Sequence, residues 1–133
     1  MSLITAIDPT RASLAQFAAE LPADTPVVML NLLRFNPQAS DQSGRTGREA
    51  YAEYSRLIMP LLAAVGGQPI WLGRAQCALI APAGESWDEV LLVKYPHQQA
   101  FLQMIGSPEY QAIVHHRSAA LLDSRLIATL EGA

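Results

Sequence analysis

The alternation of apolar and polar residues predicts a strand at residues 27–35 that is buried on both sides. This run, VVMLNLLRF, is apolar at its odd and at its even positions, and Asn31 is the one polar residue on the odd side. Such a strand belongs inside a sheet that has cover on both faces. Residues 88–95, DEVLLVKY, repeat the pattern. What covers the two faces of these strands is therefore the central structural question.

Apolar residues recur at helical spacing in four other segments. They are residues 9–21, residues 48–65, residues 97–105 and a segment that starts at Ser107-Pro108 and reaches Leu121. Asp8 has the side chain of an N-cap, and Pro9 suits the first position of the first helix. Gly66 and Gly67 predict the end of the second helix. Within that helix Pro60 lacks the N–H of a helical hydrogen bond, so we expect a bend there.

Two more strands and one long loop complete the pattern. Residues 69–81, PIWLGRAQCALIA, predict a strand that forms a hairpin with residues 88–95 through the turn-rich PAGESW. Within it Gly73 marks either a bulge or a close approach of the backbone. Residues 124–130, SRLIATL, predict a short edge strand. Residues 36–47 are polar and lack apolar periodicity; such a loop is either a lid or simply mobile, and we favour mobility.

The order of these elements predicts the fold. After an N-terminal helix at about residues 9–21 come strand, helix, strand, strand, helix pair and strand, which is typical of the ferredoxin-like split βαβ fold of the α+β class. Its helices cover one face of a four-stranded antiparallel sheet. We therefore expect a single domain over residues 1–133, with its core at about residues 26–130. The other sheet face stays bare although it is apolar, so we predict a homodimer whose interface buries at least roughly 800 Å² per partner.

Composition narrows the class of protein. The chain has 133 residues, is 50% hydrophobic and carries a net charge of −3, with a pI near 5.5. These values indicate a globular protein without a basic field for nucleic acid. The single cysteine, Cys77, excludes an intrachain disulfide and a cysteine-based zinc site and favours a reducing, cytoplasmic location. We expect no secretory signal at the N-terminus and no membrane-spanning helix, because no apolar run reaches the roughly 18 residues that such a helix needs.

The histidines do not predict a metal site. His115 and His116 are adjacent, and adjacent side chains point about 100° apart on a helix, so they cannot converge on one ion. The sequence has no His-x-x-x-His spacing, no Gly-x-Ser-x-Gly elbow and no phosphate-binding loop. We therefore expect no metal and no tightly bound cofactor.

Arg117 is the sharpest candidate for ligand binding, because it shares the apolar stripe of a predicted helix with Tyr110. An arginine that faces a core needs a partner. The partner is either a carboxylate such as Asp123 or Glu109, or an aromatic ring on which the guanidinium stacks, or a substrate carboxylate held by the guanidinium fork. Asn31 also has alternatives: its amide satisfies a loop backbone, or it points into the barrel and orients a carbonyl or a bound oxygen species.

Several motifs together resemble one known family. They are NLLRF in the central strand, the Tyr51-x-x-Tyr54 pair, Pro60 before Gly66-Gly67, the WLGR that follows and the SPEYQ that leads to Arg117. From about Pro26 to Leu130 the chain looks like the family of domain of unknown function 1330. The resemblance implies the dimeric α/β-barrel superfamily, whose members include cofactor-independent monooxygenases, muconolactone isomerase and haem-degrading oxygenases. The family itself has no settled activity to carry over.

The resemblance also adds Trp71 to the candidates, since the haem-degrading relatives imply a histidine-bound haem beside Asn31 and Trp71. A single histidine is weak evidence for haem. We expect a homodimer with one mostly apolar pocket per subunit for a small organic molecule, including an anionic one. Its candidate ligand-binding residues are Asn31, Tyr51, Tyr54, Trp71, Tyr110 and Arg117. The chain is then either an oxygenase or isomerase that works without a cofactor, or a binding or structural module without chemistry.

Overall fold

The computed structural model describes residues 4–132. Its elements are α1 (Arg11–Glu20), β1 (Val27–Phe35), α2 (Gly47–Ala64), β2 (Gln68–Arg74), β3 (Glu89–Tyr95), α3 (Gln98–Gly106), α4 (Pro108–Gln111), α5 (Val114–Ala120) and β4 (Leu121–Thr129). The four strands form one antiparallel sheet in the order β2-β3-β1-β4. This order confirms the predicted ferredoxin-like α+β fold with an extra helix before β1. No helix of the described part of the chain is long and apolar enough to cross a membrane.

Strand β1 lies inside the sheet and alternates in burial as its sequence predicts. Val27, Met29, Asn31 and Leu33 are buried against the helices. We call this side the helix-covered face of the sheet. Val27 and Leu33 are fully buried, and burying such a side chain contributes about 2 kcal/mol to folding. The even positions of β1 are only partly buried, which leaves the second face without cover from this chain.

The second face of the sheet has an apolar centre that crosses all four strands, while Lys94 and Arg125 lie on the same face away from that centre. The pairing of neighbouring strands shows which residues point to this side. Together they form what we call the open face: Val28, Leu30, Leu32, Trp71, Val90, Leu92 and Ile127. Trp71 is 60% exposed and Ile127 is 49% exposed. Exposed apolar side chains that are contiguous on a sheet usually mark a contact surface.

Helix α2 ends where its sequence predicts. It begins at Gly47, one residue before the predicted start, and Thr46 is its N-cap. Thr46 accepts a hydrogen bond from the Glu49 amide, and the Glu49 side chain accepts one from the Thr46 amide in return, so two amides of the first turn are satisfied. At the end, Gly66 has a φ of +79°, which glycine adopts without strain. Pro60 lies inside the helix, which continues through it without interruption.

Several predicted element boundaries are wrong, among them the start of the first helix and the end of β2. The first helix begins at Arg11 with Thr10 as its N-cap, because Thr10 forms a reciprocal capping pair with Ser13. Asp8, the predicted cap, instead accepts a hydrogen bond from Ser118 at 2.9 Å. Strand β2 ends at Arg74 rather than at residue 81.

Asp88 explains the early end of β2. Its amide donates to the Leu33 carbonyl at 2.7 Å and its carboxylate accepts from the Phe35 amide at 2.8 Å, so the chain before β3 turns toward β1. The Ala75 amide makes the last bond to Asp88, at 3.0 Å. A residue after Ala75 has no neighbouring strand within residues 4–132 to pair with, so β2 ends at Arg74. The irregularity in β2 lies between Pro69 and Trp71, not at Gly73.

The loop of residues 36–46 is fixed to the body of the protein. The Asn36 amide donates to the Ala120 carbonyl at 2.8 Å, and the Asn36 side chain donates to the carbonyls of Ala119 and Leu121 at 3.3 and 3.1 Å. These bonds use the last carbonyls of α5, and β4 accordingly starts at Leu121 rather than at Ser124. A Cβ on Gly47 would overlap the Asn36 carbonyl. The bonds of Asn36 anchor the start of the loop to the end of α5 and the start of β4.

Candidate functional site

A cavity of about 1190 Å³ lies between the helix-covered face of the sheet and the surrounding helices. Strands β1 and β3 supply its floor, and helices α2 and α3 with the α4–α5 pair supply its walls. Most of its lining is apolar or aromatic, and a few polar side chains interrupt that lining. This combination is typical of sites that bind small organic molecules.

The N-terminal segment covers part of this cavity. The Ser124 amide of β4 donates to the Ala6 carbonyl at 2.7 Å, which holds the segment at the sheet edge. Helix α1 has no buried residue, yet Leu14 and Phe17 on its inner side line the cavity. Phe17 meets Phe101 edge to face at a centroid distance of 5.4 Å. The first helix thus covers the cavity, and its Leu14 and Phe17 pack against the edge of the core.

Arg117 lies in this cavity, and its side chain is only 7% exposed. Its Nη1 donates to the Ile7 carbonyl at 2.6 Å, and its distance to the Asp8 carboxylate is 3.9 Å. No other hydrogen bond of this guanidinium is found within residues 4–132, so most of its five N–H groups have no protein acceptor there.

The protein partners predicted for Arg117, namely Asp123, Glu109 or an aromatic ring, are wrong. Asp123 pairs with Arg125 at 2.6 Å and accepts from the Ala6 amide, and the exposed Glu109 forms no ion pair within residues 4–132. No aromatic ring of that part of the chain stacks on the Arg117 guanidinium either. The real partners, Ile7 and Asp8, belong to the N-terminal cover.

Three tyrosines bring their hydroxyl-bearing rings into the cavity. The hydroxyl oxygens of Tyr54 and Tyr110 are 3.1 Å apart in a buried hydrogen bond, and the ring of Tyr51 lies 5.4 Å from that of Tyr54. Burial raises the pKa of Tyr51 to about 12, while the positive charge of Arg117 opposes that rise. Burial, followed by the neighbouring Tyr110, raises the pKa of Tyr54 well above its ordinary value. Tyr51 and Tyr54 are therefore neutral hydrogen-bond donors at physiological pH.

Asn31 presents the oxygen of its amide to the cavity. The residue is 8% exposed and lines the cavity from the middle of β1. Its Nδ2 donates long hydrogen bonds to the carbonyls of Met29 and Leu91, at 3.4 and 3.3 Å. No donor within residues 4–132 bonds its Oδ1. Asn31 thus has an unused acceptor on the helix-covered face, and its amide does not satisfy a loop backbone.

Glu89 lines the same cavity, although sequence reasoning did not select it. It is the first residue of β3 and is half-buried. The signal was present in the strand: Glu89 shares its alternating side with Leu91, Val93 and Tyr95. Burial raises the pKa of the Glu89 carboxyl, and nearby Arg48 and Arg74 oppose the rise.

The structure brings five of the six predicted site residues to one cavity. Asn31, Tyr51, Tyr54, Tyr110 and Arg117 all line it, but Trp71 lies on the open face, where register pairs it with Leu92. The indole of Trp71 covers Gly73, at which a Cβ would lie 2.7 Å from the indole nitrogen. The atoms nearest to a Cβ at Gly73 are thus those of a side chain two residues earlier and not of another backbone, so neither the bulge nor the close backbone approach predicted at Gly73 is found there.

The cavity does not fit a histidine-bound haem or a metal ion. None of the histidines lines it, and the rings of His115 and His116 stack on each other at a centroid distance of 3.9 Å. Within residues 4–132 no group of three or more histidine, cysteine, aspartate or glutamate side chains is placed to hold a metal ion. The one thiol, of Cys77, is exposed on the loop after β2.

Comparisons with known proteins agree with this fold and leave its chemistry open. Residues 43–130 match the family described as "Domain of unknown function (DUF1330)". A crystal structure of a protein of unknown function from Rhodopseudomonas palustris is 42% identical, covers 98% of this chain and 99% of its own, and superposes with a TM-score of 0.92. No curated protein matches this chain.

More distant structures share the fold alone. A dimeric protein of unknown function with a ferredoxin-like fold from Bacteroides fragilis is 13% identical, with a TM-score of 0.55, over 83% of this chain and 100% of its own. Hydroxynitrile lyase from Passiflora edulis is 10% identical, with a TM-score of 0.60, over 82% of this chain and 95% of its own.

Proposed function

We propose that this chain, which belongs to the DUF1330 family, binds a small organic anion with an apolar body in the cavity of each subunit of a homodimer. The observation that carries this proposal is the buried Arg117, whose guanidinium lies in an apolar cavity with one protein hydrogen bond. A buried charge is costly unless it is paired. The Asp8 carboxylate lies 3.9 Å away and makes no hydrogen bond with Arg117, whereas a carboxylate ligand would supply two parallel hydrogen bonds.

The rest of the cavity supports the same class of ligand. The Tyr54–Tyr110 hydroxyl pair offers a second polar contact, and the Asn31 carbonyl oxygen offers an acceptor for a hydroxyl or amide of the ligand. The aromatic side chains between them favour a flat apolar body. In this proposal Arg117 binds the anionic end of the ligand and the aromatic rings contact its apolar part.

The dimer part of the proposal rests on the open face of the sheet. Leu30 and Leu92 lie at its centre, side by side in the register of β1 and β3. Leu79 and Ile80, on the loop after β2, add two side chains that are 92% and 98% exposed. A second copy of the chain that packs sheet against sheet would remove this surface from water, and burial of apolar area is the main driving force of such association.

The proposal covers domain organisation and location as well. We propose one domain over residues 1–133, since the N-terminal segment bonds to β4 rather than standing apart. The free thiol of Cys77 favours a reducing, cytoplasmic location. For the bound molecule we favour conversion by a cofactor-independent isomerase or oxygenase reaction, because a carboxyl group, Glu89, lies in the same cavity. The alternative is a binding module without catalysis.

The test is Arg117→Lys, which keeps the positive charge and loses the planar fork. Binding of phenylacetate and of its neutral analogue phenylacetamide is measured by calorimetry. We expect the wild-type protein to favour the carboxylate at least about tenfold and the variant to lose most of that preference, because charge-assisted bidentate bonds are the strong ones. The melting temperature should fall by only about 3–6 °C, which corresponds to roughly 1 kcal/mol in a domain of this size.

Arg56→Lys is the matched control, because Arg56 pairs with Glu53 on the outer side of α2 and does not line the cavity. It should change neither affinity nor melting temperature. If Arg117→Lys lowered the melting temperature by more than about 10 °C while leaving carboxylate preference intact, Arg117 would be a structural residue and the proposal would fail.

A further inference from the structure

Glu89 is the carboxyl group whose position in the cavity calls for an explanation. It stands at the start of β3, where register places it beside Leu33 of β1 and Arg74 of β2. Its side chain is half-buried and lines the cavity. Within residues 4–132 no cation lies within ion-pair distance of it and no donor bonds to it. A carboxyl group in this position is free to contact a ligand.

The charges around Glu89 come from three elements. The positive charges of Arg48 on α2 and Arg74 on β2 lower the pKa of Glu89, and the negative charge of Asp88 before β3 raises it. On the cavity side Tyr51 feels the charges of both Glu89 and Arg117. All three residues line the same cavity. A small molecule bound by Arg117 would therefore share this cavity with the Glu89 carboxyl group.

We propose that Glu89 is a catalytic acid–base residue that moves a proton on a carbon next to a carbonyl group of the bound anion. This inference rests on the proposed anion site at Arg117. It narrows the substrate class to carboxylates that have an apolar, preferably aromatic, body and an enolisable C–H bond. It also narrows the reaction to an isomerisation, since a proton shift needs neither metal nor redox cofactor.

The proposed step conserves atoms and electrons. The Glu89 carboxylate takes the proton from the carbon, the C–H electrons form a C=C bond, and the carbonyl π electrons move to oxygen to give an enolate. The Tyr54–Tyr110 hydroxyl pair donates a hydrogen bond to the enolate oxygen, where donors aimed at developing charge are most effective. Water then protonates the enolate oxygen to the enol, and Glu89 returns its proton to solvent.

Phenylpyruvate is the probe for this step, because it has an aromatic body, a carboxylate and an enolisable carbon beside a ketone. Its interconversion between keto and enol forms is followed by ultraviolet absorbance with wild-type protein, Glu89→Gln and Glu89→Asp. We expect Glu89→Gln to lose about 100-fold in rate, within the usual range for a general base, while its affinity for phenylpyruvate changes less than threefold. Glu89→Asp should restore part of the rate, since it keeps a carboxyl group.

The control variant is Glu131→Gln, which removes an exposed carboxyl group outside the cavity and should leave the rate unchanged. The wild-type rate should also rise with pH through the pKa of Glu89, which burial raises above that of a free glutamate, because only the carboxylate accepts a proton. Glu89→Gln should abolish this rise.

Each outcome decides between the two proposals. Equal rates for wild-type protein and Glu89→Gln, with phenylpyruvate bound by both, would overturn the role of Glu89 and leave the anion site standing. Failure of the wild-type protein to bind phenylpyruvate, phenylacetate or both would overturn the anion site and the catalytic role with it. Binding by both proteins with acceleration by the wild-type protein alone supports both.

Discussion

The two faces of one sheet present opposite problems in this protein. On the helix-covered face, polar side chains such as Asn31 and Glu89 lie among apolar ones and line a cavity. On the open face, Leu30 and its neighbours are apolar, and nothing in residues 4–132 covers them. A partly buried polar group without a hydrogen-bond partner raises the free energy of the folded state, and so does apolar surface that is exposed to water. The proposed ligand would satisfy the polar groups of the first face, and the proposed second copy would cover the apolar surface of the second.

The same strand serves both faces because side chains alternate along it. Asn31 of β1 points to the cavity, and its neighbours Leu30 and Leu32 point to the open face. A change at one position should therefore affect one face and leave the other almost untouched. The following predictions use this separation.

The largest effect should come from Leu30→Arg at the centre of the open face. A cation there would be buried without a partner in the dimer but solvated in a monomer, so we expect the dimer dissociation constant to rise by more than about 100-fold. Sedimentation velocity at micromolar concentration measures it. Anion binding in the cavity of the released monomer should persist within a fewfold.

Ala52→Arg is the control for this change, because Ala52 is exposed on α2, on the helix side of the sheet. It should leave the dimer intact. A wild-type protein that is a stable monomer at micromolar concentration, or a Leu30→Arg variant that stays dimeric, would contradict the assignment of the open face to a second copy.

An intermediate effect should appear at alkaline pH, and it belongs to the helix-covered face. Burial raises the pKa of Tyr51 to about 12 and also raises the pKa values of Tyr54 and Tyr95. Between pH 10 and 12 the folded state thus holds protons that the unfolded state has lost. Stability is fully present below pH 10 and falls as pH rises, by up to about 1.4 kcal/mol per pH unit for each such tyrosine.

Urea unfolding at pH 9 to 11.5, together with tyrosinate absorbance, measures this slope. Tyr95→Phe should make the unfolding free energy depend less steeply on pH, by the contribution of one tyrosine. A free energy of unfolding that stays constant up to pH 11.5, or tyrosinate that forms in the folded protein near pH 10, would show that these hydroxyls are not buried.

The smallest effect should come from the Tyr54–Tyr110 hydroxyl pair. Tyr54→Phe leaves the Tyr110 hydroxyl without its 3.1 Å partner, which should cost about 1 kcal/mol of unfolding free energy. In the double variant with Tyr110→Phe, the second change should cost less than it does alone, with a coupling of about 0.5–1.5 kcal/mol. Additive effects of the two changes would mean that the hydroxyls do not interact. Tyr51→Phe, whose hydroxyl has no hydrogen-bond partner within residues 4–132, is the comparison.

The sequence by itself determined the central strand and its two faces. Residues 27–35 became β1 with the predicted bounds, and Asn31 lies on the side that the alternation assigned to it. The end of α2 at Gly66 and the ferredoxin-like order of elements also followed from the chain. These features depend on spacings of two to four residues, and such local patterns can be read without knowing which distant segments meet.

Only the tertiary structure decided which side chains share the cavity. The carbonyl that accepts from Arg117 lies 110 residues earlier in the chain, in a segment whose helix was predicted but whose position over the cavity was not. Glu89 lines the same cavity as Tyr51 because β3 lies beside β1 in the sheet, with Glu89 opposite Leu33. Trp71 does not line the cavity, because its side chain points to the open face. Such partners are set by packing between segments that are far apart in sequence, and that packing depends on the shape of the whole fold rather than on the residues nearby.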